Sequence, residues 1–223
     1  MTLADQFRPG TFVDAMRFIG DNGSLLLSKT GEHLELSCAA LGIALLLALP
    51  LGLWLGHLHR GLFLAASVSN VGRALPSLVL IAVGLTILGV GFWNNTAALV
   101  VLAVPPILTN AYFAIDGVDR DAVEAARGMG LTERQVLLQV ELPLGLPLVI
   151  AGIRIAAIFV IATATIAAIA GGGGLGEIIV NQASYGLAGV VAASLCVSAL
   201  AFLAALLLAL VRRAASPSRA SVS

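Results

Sequence analysis

Polar and apolar residues along this chain come in blocks and are not interleaved. Five stretches are apolar and almost uncharged: residues 36–56, 74–89, 96–115, 147–170 and 187–211. The first is about 21 residues long, which at about 1.5 Å per residue reaches about 31 Å, the thickness of a bilayer's hydrocarbon core. Each run predicts a transmembrane helix, so the expected fold is all-α: a polytopic membrane protein with about five spans. The second run is short. Residues 62–71 upstream of it predict either its extension around Arg73 or a helix along the membrane interface. Gly89, Gly91, Asn94 and Asn95 interrupt the pattern and predict a tight turn between the second and third spans.

Composition agrees with the blocks. The chain has 223 residues, 59% hydrophobic and 11% charged, with a mean hydropathy of +1.03, which excludes a water-soluble globule and a disordered chain. Twelve basic residues balance twelve acidic ones, so no charge excess selects nucleic acid as a partner. Cys38 and Cys196 both lie in apolar runs, so neither a disulfide framework nor a Cys-rich metal site is expected. Residues 1–33 hold no basic cluster ahead of an apolar core and predict an extracytoplasmic segment, not a cleavable leader. With the N-terminus outside, nine of the twelve basic residues (Arg60, Arg73, Arg120, Arg127, Arg134, Arg154, Arg212, Arg213 and Arg219) face the cytoplasm. The positive-inside rule therefore predicts N-out, C-in, with residues 212–223 as a disordered cytoplasmic tail.

One polar interruption is long. Residues 116–146 carry six acids and three arginines and fall on the cytoplasmic side of this threading. Asp119 or Asp121 can cap a helix beginning near Ala122. Ala122, Ala125, Ala126 and Met129 then recur at helical spacing, predicting a face of small residues with one flexible anchor, suited to a partner's groove. Gly128 and Gly130 predict its end. Thr132 and Gln135 have capping-box spacing and open a second short helix, expected to run through Val136, Leu137 and Val140 as far as Pro143. Pattern alone leaves open whether this hairpin only joins two spans.

Glu124-Ala125-Ala126, then Gly130, then Val140-Glu141-Leu142-Pro143 after nine further residues resembles the E-A-A-x3-G-x9-I-x-L-P loop of ATP-binding-cassette importer permeases, with valine where isoleucine is usual. Arg73-Ala74-Leu75-Pro76-Ser77-Leu78, Pro105-Pro106-Ile107-Leu108-Thr109-Asn110, Gly152-Ile153-Arg154 and the glycines from Gly171 to Gly176 resemble, more narrowly, permeases of osmoprotectant importers for glycine betaine, carnitine or choline. The likeness covers roughly residues 34–211, expected as a type I importer-like permease domain. It implies a second permease subunit (identical or paralogous), two cytoplasmic ATPase subunits, an extracytoplasmic substrate-binding protein and a bacterial inner-membrane location. It also implies that Glu124, Ala125, Ala126, Met129, Gly130, Leu142 and Pro143 contact the ATPase, with Glu124 fixing the loop through a charge-assisted hydrogen bond. The loop alone does not name the cargo, so a methionine-type or other small-solute permease remains open, as does a channel or membrane scaffold.

Other motifs carry less. Gly171, Gly173 and Gly176 match G-x-G-x-x-G but follow a span instead of a strand, and predict an extracytoplasmic turn leading into an interfacial segment. Lys29 is the only lysine and no phosphate loop surrounds it, so no cofactor is expected in this chain; ATP and Mg belong to the partner ATPase. His57 and His59 could offer two metal ligands but lack a third, which favours interfacial anchoring. Gly52 and Gly56 have helix-packing spacing, a weak signal in a glycine-rich chain. No acid falls near a span's midplane, which disfavours proton or sodium coupling. Asn110, Thr163, Thr165, Asn181 and Gln182 are candidate pathway residues. Trp54, Trp93, Tyr112 and Tyr185 are too dispersed for the aromatic cage a quaternary ammonium ion favours, which points to recognition by the binding protein.

Overall fold

A computed structural model of the chain describes residues 10–215, and every element among them is helical. In chain order these are α1 (Gly10–Asp21), α2 (Gly23–His57), α3 (Leu62–Ala74), α4 (Ser77–Leu88), α5 (Phe92–Asp116), α6 (Arg120–Gly128), α7 (Glu133–Val136), a π turn (Leu137–Glu141), α8 (Leu142–Ala167) with a 3₁₀ turn after it, α9 (Leu175–Val180) and α10 (Gln182–Ala215). Four helical stretches are long and apolar enough to cross a membrane: Gly23–His57, Phe92–Asp116, Glu133–Ala170 and Gln182–Ala215. A fifth span exists only as the bent pair of α3 and α4. The break falls at Leu75, extended at φ −78° and ψ 117°, a conformation favoured by the ring of Pro76, which disfavours helical backbone at the residue before it.

Three expectations change. The helix that holds the first apolar run begins at Gly23, well before residue 36, so residues 23–33 of the segment expected ahead of the first span are continuous with it. Asn94 and Asn95 are not in the turn; Gly89 and Gly91 make it, with φ 75° and 131°, and both asparagines are buried in the first turn of α5. Arg212 and Arg213 close α10, which runs to Ala215, while residues 216–223 of the expected tail lie outside the described residues.

The helices contribute to two compact units. One comprises, among the described residues, 10–41, Pro76–Val100 and Ile158–Leu203. Its core gathers Ile81, Ala98 and Ala170, with Leu80, Leu85 and Ile166 packed on them. A turn of four glycines after α8 takes φ of 72°, 66° and 69° at Gly171, Gly173 and Gly174, values open to residues without a Cβ. The start of α2 holds this turn. The Gly174 N–H donates to the Glu32 carboxylate over 2.9 Å, and Lys29 Nζ bridges Glu32 at 3.0 Å and Glu177 at 2.7 Å.

The other unit comprises, among the described residues, Gly42–Leu75, Val101–Ala157 and 204–215. Its centre is the second half of α5, approached closely by its neighbours through glycines. A Cβ at Gly52 of α2 would lie 2.7 Å from the Leu108 carbonyl oxygen, and one at Gly56 would lie 2.6 Å from that of Tyr112. Gly152 of α8 meets α5 in the same way, at Asn110 and at the Pro106 carbonyl, and Gly145 meets Ala114. In lipid, where apolar surface gains nothing by leaving solvent, such backbone contact supplies the dispersion energy that joins helices. The Gly52 and Gly56 spacing is therefore a true packing face.

Candidate functional site

The polar loop between α5 and α8 is a small folded piece with its own core. Asp119 caps α6, its carboxylate accepting from the Asp121 N–H over 3.0 Å. At the other end the chain reverses at Gly130, φ 86°, where the Leu131 N–H bonds to the Ala126 carbonyl and the Gly130 N–H to that of Arg127, a Schellman closure. Thr132 and Gln135 form the reciprocal capping box that opens α7. Val118, Val123, Ala126 and Val136 are buried together, with Leu131 and Val140 against them.

That core corrects the expected docking face. Ala126 is 1% exposed and points into the loop, whereas Met129 is 75% exposed and Ala125 is also open. Ala122 is only half-buried. The apolar face of α6 is carried by Val123 and Ala126, three residues apart, and the outward surface by Glu124, Ala125 and Met129. Alanine at helical spacing does not say which alanine turns inward; the single valine does, since β-branched bulk is what the loop can bury.

Pro143 does not end the second helix. The Leu142 N–H bonds to the Leu137 carbonyl, a π turn, and the helix continues through Pro143 to Ala167. Widening the ladder next to a residue that lacks an N–H lets the helix absorb it. Leu142 is half-buried, Pro143 and Gly130 are exposed. Glu124 makes no side-chain hydrogen bond among the described residues; it lines a groove of about 270 Å³ with His59, Arg120 and Arg127.

The sequence singles out His57 and His59 but not the carboxylates that they and Arg127 meet. Arg127 holds Glu133 through two hydrogen bonds of 3.0 and 2.9 Å, and these bonds push the guanidinium pKa further up. His57, at the end of α2, places Nε2 3.3 Å from Glu133 and Nδ1 2.6 Å from Glu141, which is fully buried. His59 takes a left-handed conformation, φ 48°, and its Nδ1 lies 2.9 Å from Asp116. The two histidines thus engage carboxylates, and no cluster suited to a metal occurs among the described residues.

The candidate pathway residues are not brought together as a site. Asn110 donates to the Pro106 carbonyl over 2.8 Å and Thr165 to that of Ala162 over 2.7 Å, each within its own helix. Thr163 is buried, and Asn181 and Gln182 are exposed. His33, Ser37, Asn94 and Asn95 are further buried polar residues, each with one atom lacking a partner. Trp54 and Trp93 are exposed and Tyr112 is buried, so the aromatic side chains form no common cage among the described residues.

Several long apolar helices with one folded polar loop define a polytopic membrane component. Residues 48–217 match the family described as "Binding-protein-dependent transport system inner membrane component", and the chain belongs to that family. It is 40% identical over 164 residues (74% of this chain, 76% of the relative) to the glycine betaine/carnitine/choline transport system permease protein OpuCB of Bacillus subtilis. It is 32% identical to the choline transport system permease protein OpuBD of the same organism, over 91% of this chain and 90% of that one. The osmoprotectant import permease protein OsmW of Salmonella typhimurium is 33% identical, over 77% and 82%. Among solved structures, an inward-facing form of the MetNI methionine ABC transporter superposes with a TM-score of 0.76 at 22% identity, covering 88% of this chain and 99% of the other. That likeness establishes the fold.

Proposed function

We propose that this chain is the permease subunit of an ATP-driven importer for a quaternary ammonium osmoprotectant such as glycine betaine, carnitine or choline. The observation that carries the reading is the loop: its Glu124-Ala125-Ala126 to Pro143 motif folds as a helical piece with its own core, whose outward surface, Ala125 and Met129, is left uncovered. Small residues there let another backbone approach, and a methionine adapts to its groove. ATP and Mg belong to separate ATPase subunits docked on that surface. A binding protein delivers the solute from the other side, and a second permease, identical or paralogous, completes the route. The N-terminus faces outside and the loop the cytoplasm. Asn181 and Gln182, exposed at the start of α10, belong to the outer mouth; Asn110 and Thr165 serve the pathway only if their amide and hydroxyl groups leave the carbonyls of their own helices, and Thr163 only if its burial is relieved.

The cargo rests on relatives at 32–40% identity whose names specify osmoprotectants. A methionine cargo has only the fold behind it, and a fold does not specify a substrate. Uptake of radiolabelled glycine betaine, carnitine, choline and methionine by the reconstituted complex tests this: accumulation of a quaternary ammonium compound is expected, and accumulation of methionine alone overturns it.

A further inference from the structure

We propose that His57 and Glu141 form a buried pin fastening the loop to the end of α2, so that displacement of the loop is carried into that helix. The proposal rests on reading the loop as the ATPase contact.

Glu141 lies in the π turn and is fully buried, Oε2 2.6 Å from His57 Nδ1 and Oε1 without a partner. A carboxylate in such surroundings is costly, and a leucine of similar bulk would pack there at lower cost; an ionic group in that place adds register and orientation instead. Glu141 closes the π turn five positions after Val136; Val136 faces the loop's core and Glu141 faces His57 of α2.

His57 faces two carboxylates at once, Glu141 on one nitrogen and Glu133 on the other. Each ring nitrogen of His57 therefore has its own carboxylate oxygen, one on the π turn and one on α7. Glu133 is itself gripped by Arg127, whose helix shares the loop core through Val123 and Ala126. The chain Arg127, Glu133, His57, Glu141 therefore ties α6, α7 and the π turn to α2. At its anchor, α2 ends in its own Schellman closure, the Arg60 N–H on the Leu55 carbonyl and the His59 N–H on that of Gly56, and Gly56 is pressed on α5. His57 is thus a fixed point, and it acts as a positioning residue that touches neither nucleotide nor solute.

The test uses the assembled complex, with ATPase and binding protein. Glu141→Ala and His57→Leu are expected to retain wild-type ATPase stoichiometry and basal hydrolysis, while stimulation by loaded binding protein falls about tenfold, within the range for a residue that transmits coupling. Glu141→Gln keeps a hydrogen bond of the same reach and is expected to keep about half of the stimulation or more. The double variant H57L/E141L leaves no lone polar group in the buried contact and is expected to fold where a single variant does not; its stimulation stays low. Full stimulation in Glu141→Ala or in the double variant overturns the pin, as does parallel loss of assembly, basal hydrolysis and stimulation in every variant. Met129→Asp tests the underlying reading separately: if that variant binds the ATPase and is stimulated normally, the loop is not the contact, whatever Glu141 does.

Discussion

Ala126 and Ala125 are adjacent and chemically identical, yet they should fail differently. Ala126 sits in the loop's core, so Ala126→Arg forces a guanidinium among Val118, Val123 and Val136, disorders the loop and removes ATPase binding as a consequence. Ala125→Arg leaves the core alone and blocks only the outward surface. Limited proteolysis separates them: rapid cleavage between residues 116 and 146 is expected for Ala126→Arg, and wild-type resistance with lost ATPase co-purification for Ala125→Arg. If both resist cleavage, the loop has no independent core. Gly130 offers a cleaner backbone experiment, since a Cβ there meets nothing within 4 Å and the φ is 86°. Gly130→Ala should therefore cost about 1–2 kcal/mol from left-handed strain alone, read as faster amide exchange at Leu131, whose N–H closes the turn. The sequence showed that Gly130 ends a helix because glycine is the residue for that backbone. It did not show Glu141 as buried, because the partner that makes burial tolerable is His57, 84 residues away.

At the level of elements, apolar length was enough to find the spans. The parts it missed are those where polar residues are satisfied by something remote. The start of α2 reads as a polar segment because Lys29 and Glu32 are charged, but Glu177 and the Gly174 N–H receive them. Pro143 reads as a stop, yet the π turn before it lets the helix run on. Helix packing yields a further expectation. Gly52→Leu drives a side chain into Leu108 and Ala111 of α5 and should destabilise the protein by about 1–3 kcal/mol, whereas Gly42→Leu, with nothing within 4 Å of its Cβ position, should be neutral. Thermal unfolding in detergent reads the difference; equal melting temperatures would mean that α2 and α5 are not in backbone contact.

For the whole molecule, the predicted threading puts Asn181 outside and Gly128 inside. With Cys38 and Cys196 replaced, an impermeant thiol reagent added to intact cells should modify a cysteine at position 181 and spare one at 128; the reverse pattern would invert the threading. The central claim is that this chain supplies a route whose energy comes from another subunit through the loop. It is tested most directly by solute accumulation in proteoliposomes with the permease, the binding protein and internal ATP, with and without the ATPase subunit. Accumulation of glycine betaine, carnitine or choline only when the ATPase is present, abolished by Ala125→Arg, is the expected result; accumulation driven by a proton or sodium gradient without the ATPase would contradict it.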